Sequence, residues 1–243
     1  MLTLLTYGPA FGTPAASPFC IKAMWLLNMS GLPWQPENVT DPRSMPKQKL
    51  PVLREGALLT PDSDNIRALL ESKGADFDAG LSDMQKANAR AFIRMAEEHL
   101  YFHAVLDRWD NDETWPAIRD AYFASIPRLI RGVITNKLRK SAQQGLRFQG
   151  LGRFTPQERI LRVEPDLQAI TTRLWQSPFL FGERPSAADA SVAAMLMTIR
   201  ATPGKTLLKR RIAEDEVLCR YIDRTATALG TPWISDASGK LCA

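Results

Sequence analysis

Ser17-Pro18-Phe19-Cys20 decides how this 243-residue chain is read. It follows an apolar run, Leu2 to Tyr7, and a loop rich in Gly and Pro, and it opens a helix-period segment from Ile21 to Asn28. Ser17 suits the N-cap, Pro18 the first helical position and Gly31 the stop. A hydroxyl at the positive end of a helix, just past a strand, is well placed to hold a thiolate or another anion.

Around this stretch, residues 1–73 alternate short apolar runs with one clear helix. Strands are expected at Leu2–Tyr7 and Trp34–Val39, with a helix over Ser17–Ser30 between them. A hairpin signal at Glu55-Gly56 joins Val52–Arg54 to Ala57–Leu59. Ser63 then caps a helix running through Ile66, Leu69 and Leu70. A parallel first pair of strands needs a crossover, and the first helix supplies it. This βαβ–ββα order predicts a thioredoxin-like domain over residues 1–76. Residues 74–83, rich in Gly, Asp and Ser, read as a linker. Beyond them the pattern is helical throughout: Met84–Trp109, Trp115–Ser141, Thr155–Trp175, Ala187–Ile199 and Glu216–Leu229. The predicted class is α/β followed by an all-α domain over residues 84–243.

The balance of 31 Lys and Arg against 26 Asp and Glu leaves a formal charge of +5, and the 45% apolar content supplies a core. The positive residues are scattered. Their densest cluster, Lys205 to Arg211, reads as a solvated helix face, and no Arg/aromatic pattern marks a nucleic-acid partner. Cys20, Cys219 and Cys242 form no disulfide framework, which predicts a reducing, cytoplasmic compartment. The N-terminus lacks the basic and long apolar regions of a signal peptide. No apolar stretch reaches the roughly 18 residues needed to span a bilayer.

Three separated motifs in the first half resemble the thioredoxin-like domain of glutathione transferases. Ser17-Pro18-Phe19-Cys20 stands where many of them carry an active-site Ser or Cys. Met45-Pro46-Lys47-Gln48-Lys49-Leu50-Pro51-Val52-Leu53 resembles N-P-x-G-K-V-P-x-L, and Asp62-Ser63-x-x-Ile66 resembles E-S-x-x-I. In the second half, Phe181-Gly182-Glu183-Arg184-Pro185-Ser186-Ala187-Ala188-Asp189 is similar to G-x-x-x-[ST]-x-x-D, a capping box that serves folding. Glu97-Glu98-His99-Leu100-Tyr101-Phe102 and Gln149-Gly150-Leu151-Gly152-Arg153 resemble one branch, the failed-axon-connections and metaxin-like transferases. Met45, Gln48 and Asp62 depart from the pattern, and Asp62 is one methylene shorter than the usual Glu.

The resemblance implies glutathione as co-substrate, a small electrophile as second substrate, and a homodimer. It places a cis proline at Pro51, which turns the Leu50 backbone toward the cysteinyl unit. It also puts Lys49 beside the glycyl carboxylate and Asp62 with Ser63 on the γ-glutamyl end. Ser17 would be catalytic, donating to the sulfur; otherwise it is an ordinary N-cap. Two rival functions stay open: a non-catalytic member that keeps the fold for interaction, and a disulfide reductase using Cys20. In Ser17-x-x-Cys20 the exposed tip is a hydroxyl, so dithiol chemistry lacks its nucleophile, and Cys20 reads as a packing residue. Tyr7 ends the first strand and offers an alternative donor. His99 and His103 have i, i+4 spacing, but the H-E-x-x-H order is absent, so no metal is expected. Met95, Phe102 and Trp109 recur at helical spacing, which reads chiefly as core, with contact to the electrophile as the alternative that the resemblance implies.

Overall fold

The computed structural model describes residues 1–230. Strand β1 (Leu2–Thr6) is buried along its whole length, and α1 (Pro18–Ser30) carries the chain across to the parallel strand β2 (Trp34–Asn38). Strands β3 (Val52–Glu55) and β4 (Leu58–Pro61) then complete a sheet of order β2-β1-β3-β4, with both later pairings antiparallel. Pro36 sits in β2 because that strand is at the edge, where a missing N–H breaks no ladder. The hairpin turns one residue later than expected, at Gly56-Ala57, with Glu55 opposite Leu58. Gly56 has φ 58°, which a glycine accepts without strain and the expected Glu55 would not.

Helix α2 (Ser63–Ser72) is capped by Asp62, whose side chain accepts the Asp64 N–H. Ser63 is therefore the first helical residue and not the cap. The segment from 74 to 82 is pinned: Phe77 is buried, its carbonyl accepts the Ala187 N–H at 3.2 Å, and Asp78 pairs with Arg67 at 2.7 Å.

The long helix expected over Met84–Trp109 is continuous but not uniform. It comprises α3 (Asp83–Met95), one π turn at Ala96–Leu100, and α4 (Tyr101–Trp109). The helix expected over Trp115–Ser141 is broken into α5 (Trp115–Tyr122) and α6 (Arg128–Gln149). Pro127 is the cause: its ring lacks the N–H and disfavours helical backbone at the residue before it. Helices α7 (Pro156–Leu174), α8 (Ala187–Arg200), α9 (Leu207–Ala213) and α10 (Glu216–Ala228) follow.

Every residue of α8 is buried, and α1 is buried from Cys20 to Leu27. These two helices pack together at the centre, so the sheet and the helical half share one core. Asp189 fixes the start of α8: its carboxylate accepts from the Leu180 and Ser186 N–H groups and from the Ser186 and Tyr221 hydroxyls, all within 2.9 Å.

Candidate functional site

The β1–α1 connection is a rigid hook. Ala16 N–H bonds the Gly8 carbonyl at 2.9 Å, and the Thr13 hydroxyl donates to the Ala10 and Ala15 carbonyls. The hook delivers Ser17 to the start of α1 with extended backbone, φ −111° and ψ 132°. Ser17 occupies the N-cap position, yet its hydroxyl makes no capping bond. Its carbonyl instead accepts the N–H groups of Cys20 and Ile21, and its half-buried hydroxyl lies against the Cys20 thiol.

Cys20 has no exposed surface. Burial pushes its thiol up, against the pull of hydrogen bonds from the Thr6 hydroxyl, the Tyr7 backbone and the Ser17 hydroxyl. A protonated, enclosed thiol is a poor nucleophile. Tyr7 is half-buried, and its phenol is pushed up to about 12, first by burial and then by Cys20, Tyr101 and Tyr122. It stays protonated and can only donate or accept a hydrogen bond.

The helical half closes over this hook through Tyr101 and through two residues, Arg108 and Tyr122, that local sequence patterns did not flag. Arg108 is buried and donates to the Ala16 carbonyl at 3.0 Å, the Thr198 carbonyl at 2.7 Å and the Tyr122 hydroxyl at 2.5 Å. Tyr122 also donates to Ala16, at 3.3 Å, and Phe11 packs 6.0 Å from its ring. Tyr101 lies edge-on to Phe19 at 4.9 Å. Phenols and one guanidinium thus stand around the backbone that immediately precedes Ser17.

The second motif begins in a strained loop. Lys47 and Gln48 both have positive φ, 58° and 54°, a region most side chains avoid. The Leu50–Pro51 peptide is cis, and β3 starts immediately after it. The main-chain N–H and C=O of Leu50 engage no group among the described residues. Lys47 and Lys49 are exposed and form no ion pair among those residues.

The third motif is tied to the second: the Asp62 N–H donates to the Pro51 carbonyl at 3.1 Å. Asp62 has φ 78° and ψ 136°, a conformation that is costly for a residue with a Cβ. One of its carboxylate oxygens is occupied in capping Asp64 at 2.9 Å. Ser63 is buried, and neither its N–H nor its hydroxyl has a partner among the described residues. Since Leu5 pairs with Val52, the end of β1 lies beside the start of β3. The sheet therefore gathers all three motifs at one end.

Next to this end runs a charged chain linking the two halves. Asp64 accepts Lys22 at 2.7 Å, Arg90 at 3.0 Å and Arg94. Burial pushes the Asp64 carboxyl up, but Lys22, Arg90 and Arg94 outweigh it and hold the group at about 2. Elsewhere, His99 meets Asp166 at 2.5 Å and His103 at 3.4 Å. Among the described residues no group of three or more His, Cys, Asp or Glu is arranged to hold a metal. Trp109 lies tilted against Trp115 with ring centroids 5.3 Å apart, while Phe102 and Met95 pack against the core clusters. Cys242 and the end of the helical region assigned to 84–243 lie outside the described residues.

The glutathione S-transferase N-terminal domain matches residues 18–115, and the glutathione S-transferase C-terminal domain matches residues 163–225. The chain belongs to the glutathione S-transferase superfamily. It is similar to an isoprene-epoxide–glutathione S-transferase of Rhodococcus sp. (strain AD45), 29% identical over 92% of this chain and 97% of that protein. It is also similar to the mitochondrial outer membrane import complex protein METAXIN of Arabidopsis thaliana, 25% identical over 91% of this chain and 70% of that one. The glutathione transferase GSTFuA3 from Phanerochaete chrysosporium shares the fold, with TM-score 0.66, 17% identity, and 93% and 96% of the two chains covered. The superfamily's thioredoxin-like sheet and helical second half are both present here. No helix among the described residues is long and apolar enough to cross a membrane.

Proposed function

We propose that this protein binds glutathione and transfers it, as the thiolate, to a small electrophile. The observation that carries this reading is the Ser17 hydroxyl: it stands at the start of α1 and makes no capping bond to the helix it begins. Its single proton can turn from the Cys20 thiol to an incoming sulfur by rotation of the hydroxyl. The unengaged main chain of Leu50, beside the cis bond to Pro51, suits an extended peptide that pairs by backbone hydrogen bonds. Ser63 offers an N–H and a hydroxyl to one terminal carboxylate, Lys49 an ammonium to the other, and the second carboxylate oxygen of Asp62 can reach an amine.

In this mechanism the glutathione thiol gives its proton to solvent. Ser17 and the α1 dipole stabilise the thiolate, and the sulfur attacks the electrophilic carbon. With an epoxide, the C–S bond forms as the C–O bond breaks, and the alkoxide takes a proton from water. A hydrogen bond to a charged group contributes roughly 1.5–3 kcal/mol, and each 1.4 kcal/mol lowers the thiol pKa by about one unit. The epoxide named for the Rhodococcus relative makes that class the first electrophile to test. By superfamily membership the protein is inferred to act as a cytoplasmic homodimer.

The metaxin similarity favours a second reading, in which the fold is kept for interaction with other proteins. Calorimetry separates the two. The transferase reading expects saturable glutathione binding, and no heat at millimolar glutathione would overturn it in favour of the second. Disulfide reduction through Cys20 finds no support, since the thiol is enclosed and protonated.

A further inference from the structure

Helix α6 is anchored on one side only. Of its residues just Thr135 and Leu146 are buried, while Arg139 is tied down to Asp112 at 2.7 Å and the Trp109 carbonyl at 2.8 Å. Its outer face is largely apolar and is not covered by any of the described residues. Leu129 is 97% exposed and Val133 77%, and Ile130, Ile134 and Leu138 are exposed with them. These positions follow i, i+1, i+4, i+5, i+9, which places them along one stripe of the helix. Lys137 and Lys140 are interleaved with the stripe.

The charge on α6 has one sign: it holds Arg128, Arg131, Lys137, Arg139, Lys140 and Arg147, and no Asp or Glu. Arg128, Lys137, Lys140 and Arg147 have no ion pair among the described residues. At the N-terminal end, Arg128 and Arg131 share a cavity of about 370 Å³ with Arg119, Asp120 and Gly132. Asp120 pairs with Arg119 at 2.9 Å and Arg131 is largely engaged with the Ala124 and Ile126 carbonyls, while Arg128 acts on Asp120 only through its charge and forms no hydrogen bond or ion pair among the described residues.

We propose that α6 docks the protein on an anionic phospholipid surface, lying in the plane of the bilayer. An exposed apolar stripe beside unpaired Lys and Arg is the composition of a helix that rests in the headgroup region. The apolar side chains enter the acyl boundary, the lysines extend back to the phosphates, and the cavity at Arg128 receives a headgroup phosphate. A second copy of this chain fits the face less well. Two-fold docking would set one cationic stripe against another.

Flotation with the full chain tests this. Vesicles of phosphatidylcholine alone are compared with vesicles containing about one-third phosphatidylglycerol. The protein should float with the anionic vesicles at low salt, stay behind with the neutral ones, and be released at about 0.5 M salt. The double variants Lys137→Glu/Lys140→Glu and Leu129→Gln/Val133→Gln should each need roughly tenfold or more additional lipid for half-binding. All four side chains face solvent, so unchanged thermal melts will show that both variants fold. Equal flotation with both vesicle types would overturn the proposal, as would variants that float like the parent. So would variants that abolish dimerisation in sedimentation while vesicle binding is unaltered, because α6 would then be the seam between two copies.

Discussion

Lys22 and Glu97 meet with Nζ 2.5 Å from Oε1, and the Lys22 side chain has no exposed surface. The ammonium is satisfied by two carboxylates, Glu97 and Asp64, while Glu97 also accepts the Ser191 hydroxyl at 2.8 Å. This chain of contacts fastens α1 and α2 to the π turn and α8, so the two halves of the molecule are joined by charge as well as by apolar packing. Removing one partner of a buried pair leaves the other uncompensated, at about 3–5 kcal/mol. Arg94 still reaches Glu97 at 2.9 Å, which moderates the loss. Lys22→Met should therefore lower stability in urea by about 3 kcal/mol, and adding Glu97→Gln should cost less than the sum of the single changes. A Lys22→Met protein as stable as the parent would contradict this.

His103 gives the molecule a defined response to acid. Burial, and then the charges of His99, Arg159 and Arg162, press its imidazole down to about 3. An unfolded histidine titrates near 6.5, so between about pH 6.5 and 3 the unfolded chain holds a proton that the folded chain lacks. The His103 contribution is fully present above that window and is lost as pH falls through it. Asp107 acts in the opposite sense. Burial pushes it up to about 6 from 3.8, so the folded chain keeps its proton there and its contribution falls as pH rises through that range. Comparing the parent with His103→Phe isolates the histidine: the difference in unfolding free energy should change by a few kcal/mol between pH 7.5 and 4. A flat difference would contradict the assignment.

Cys20 should behave as a core residue. In the folded protein a thiol reagent should modify Cys219, which is partly exposed, while Cys20 reacts only after unfolding. Mass spectrometry of labelled peptides reads both. Cys20→Ala should leave glutathione turnover within about threefold of the parent and add no loss of disulfide reduction. Rapid labelling of Cys20 in the native state would revive it as a nucleophile.

Much of the fold was legible because its signals are local. The apolar run at Leu2–Thr6, the Gly31 stop and the reach of Asp189 back to Ser186 each act over a few residues. The break at Pro127 was equally local, and its signal was present in the chain. Other features were out of reach. The π turn at Ala96–Leu100 has no compositional mark, and Asp62 is the cap of α2 only because its backbone adopts a conformation that sequence pattern does not announce. Of the candidate site, the three motifs could be read from the chain. Arg108 and Tyr122 could not: each looks like an ordinary helical residue until tertiary packing brings it to Ala16, more than ninety positions away. Lys22 likewise reads as a surface lysine, and only the fold reveals it as buried.

The proposed role of Ser17 is tested most directly by titrating the thiol of bound glutathione, following thiolate ultraviolet absorbance in the parent protein and in Ser17→Ala. The parent should lower the thiol pKa by one to two units from about 8.5. Ser17→Ala should still bind the tripeptide, return most of that shift, and lose roughly 10–100-fold in conjugation rate. Bound glutathione that titrates identically in both proteins, with equal turnover, would contradict the role assigned to Ser17.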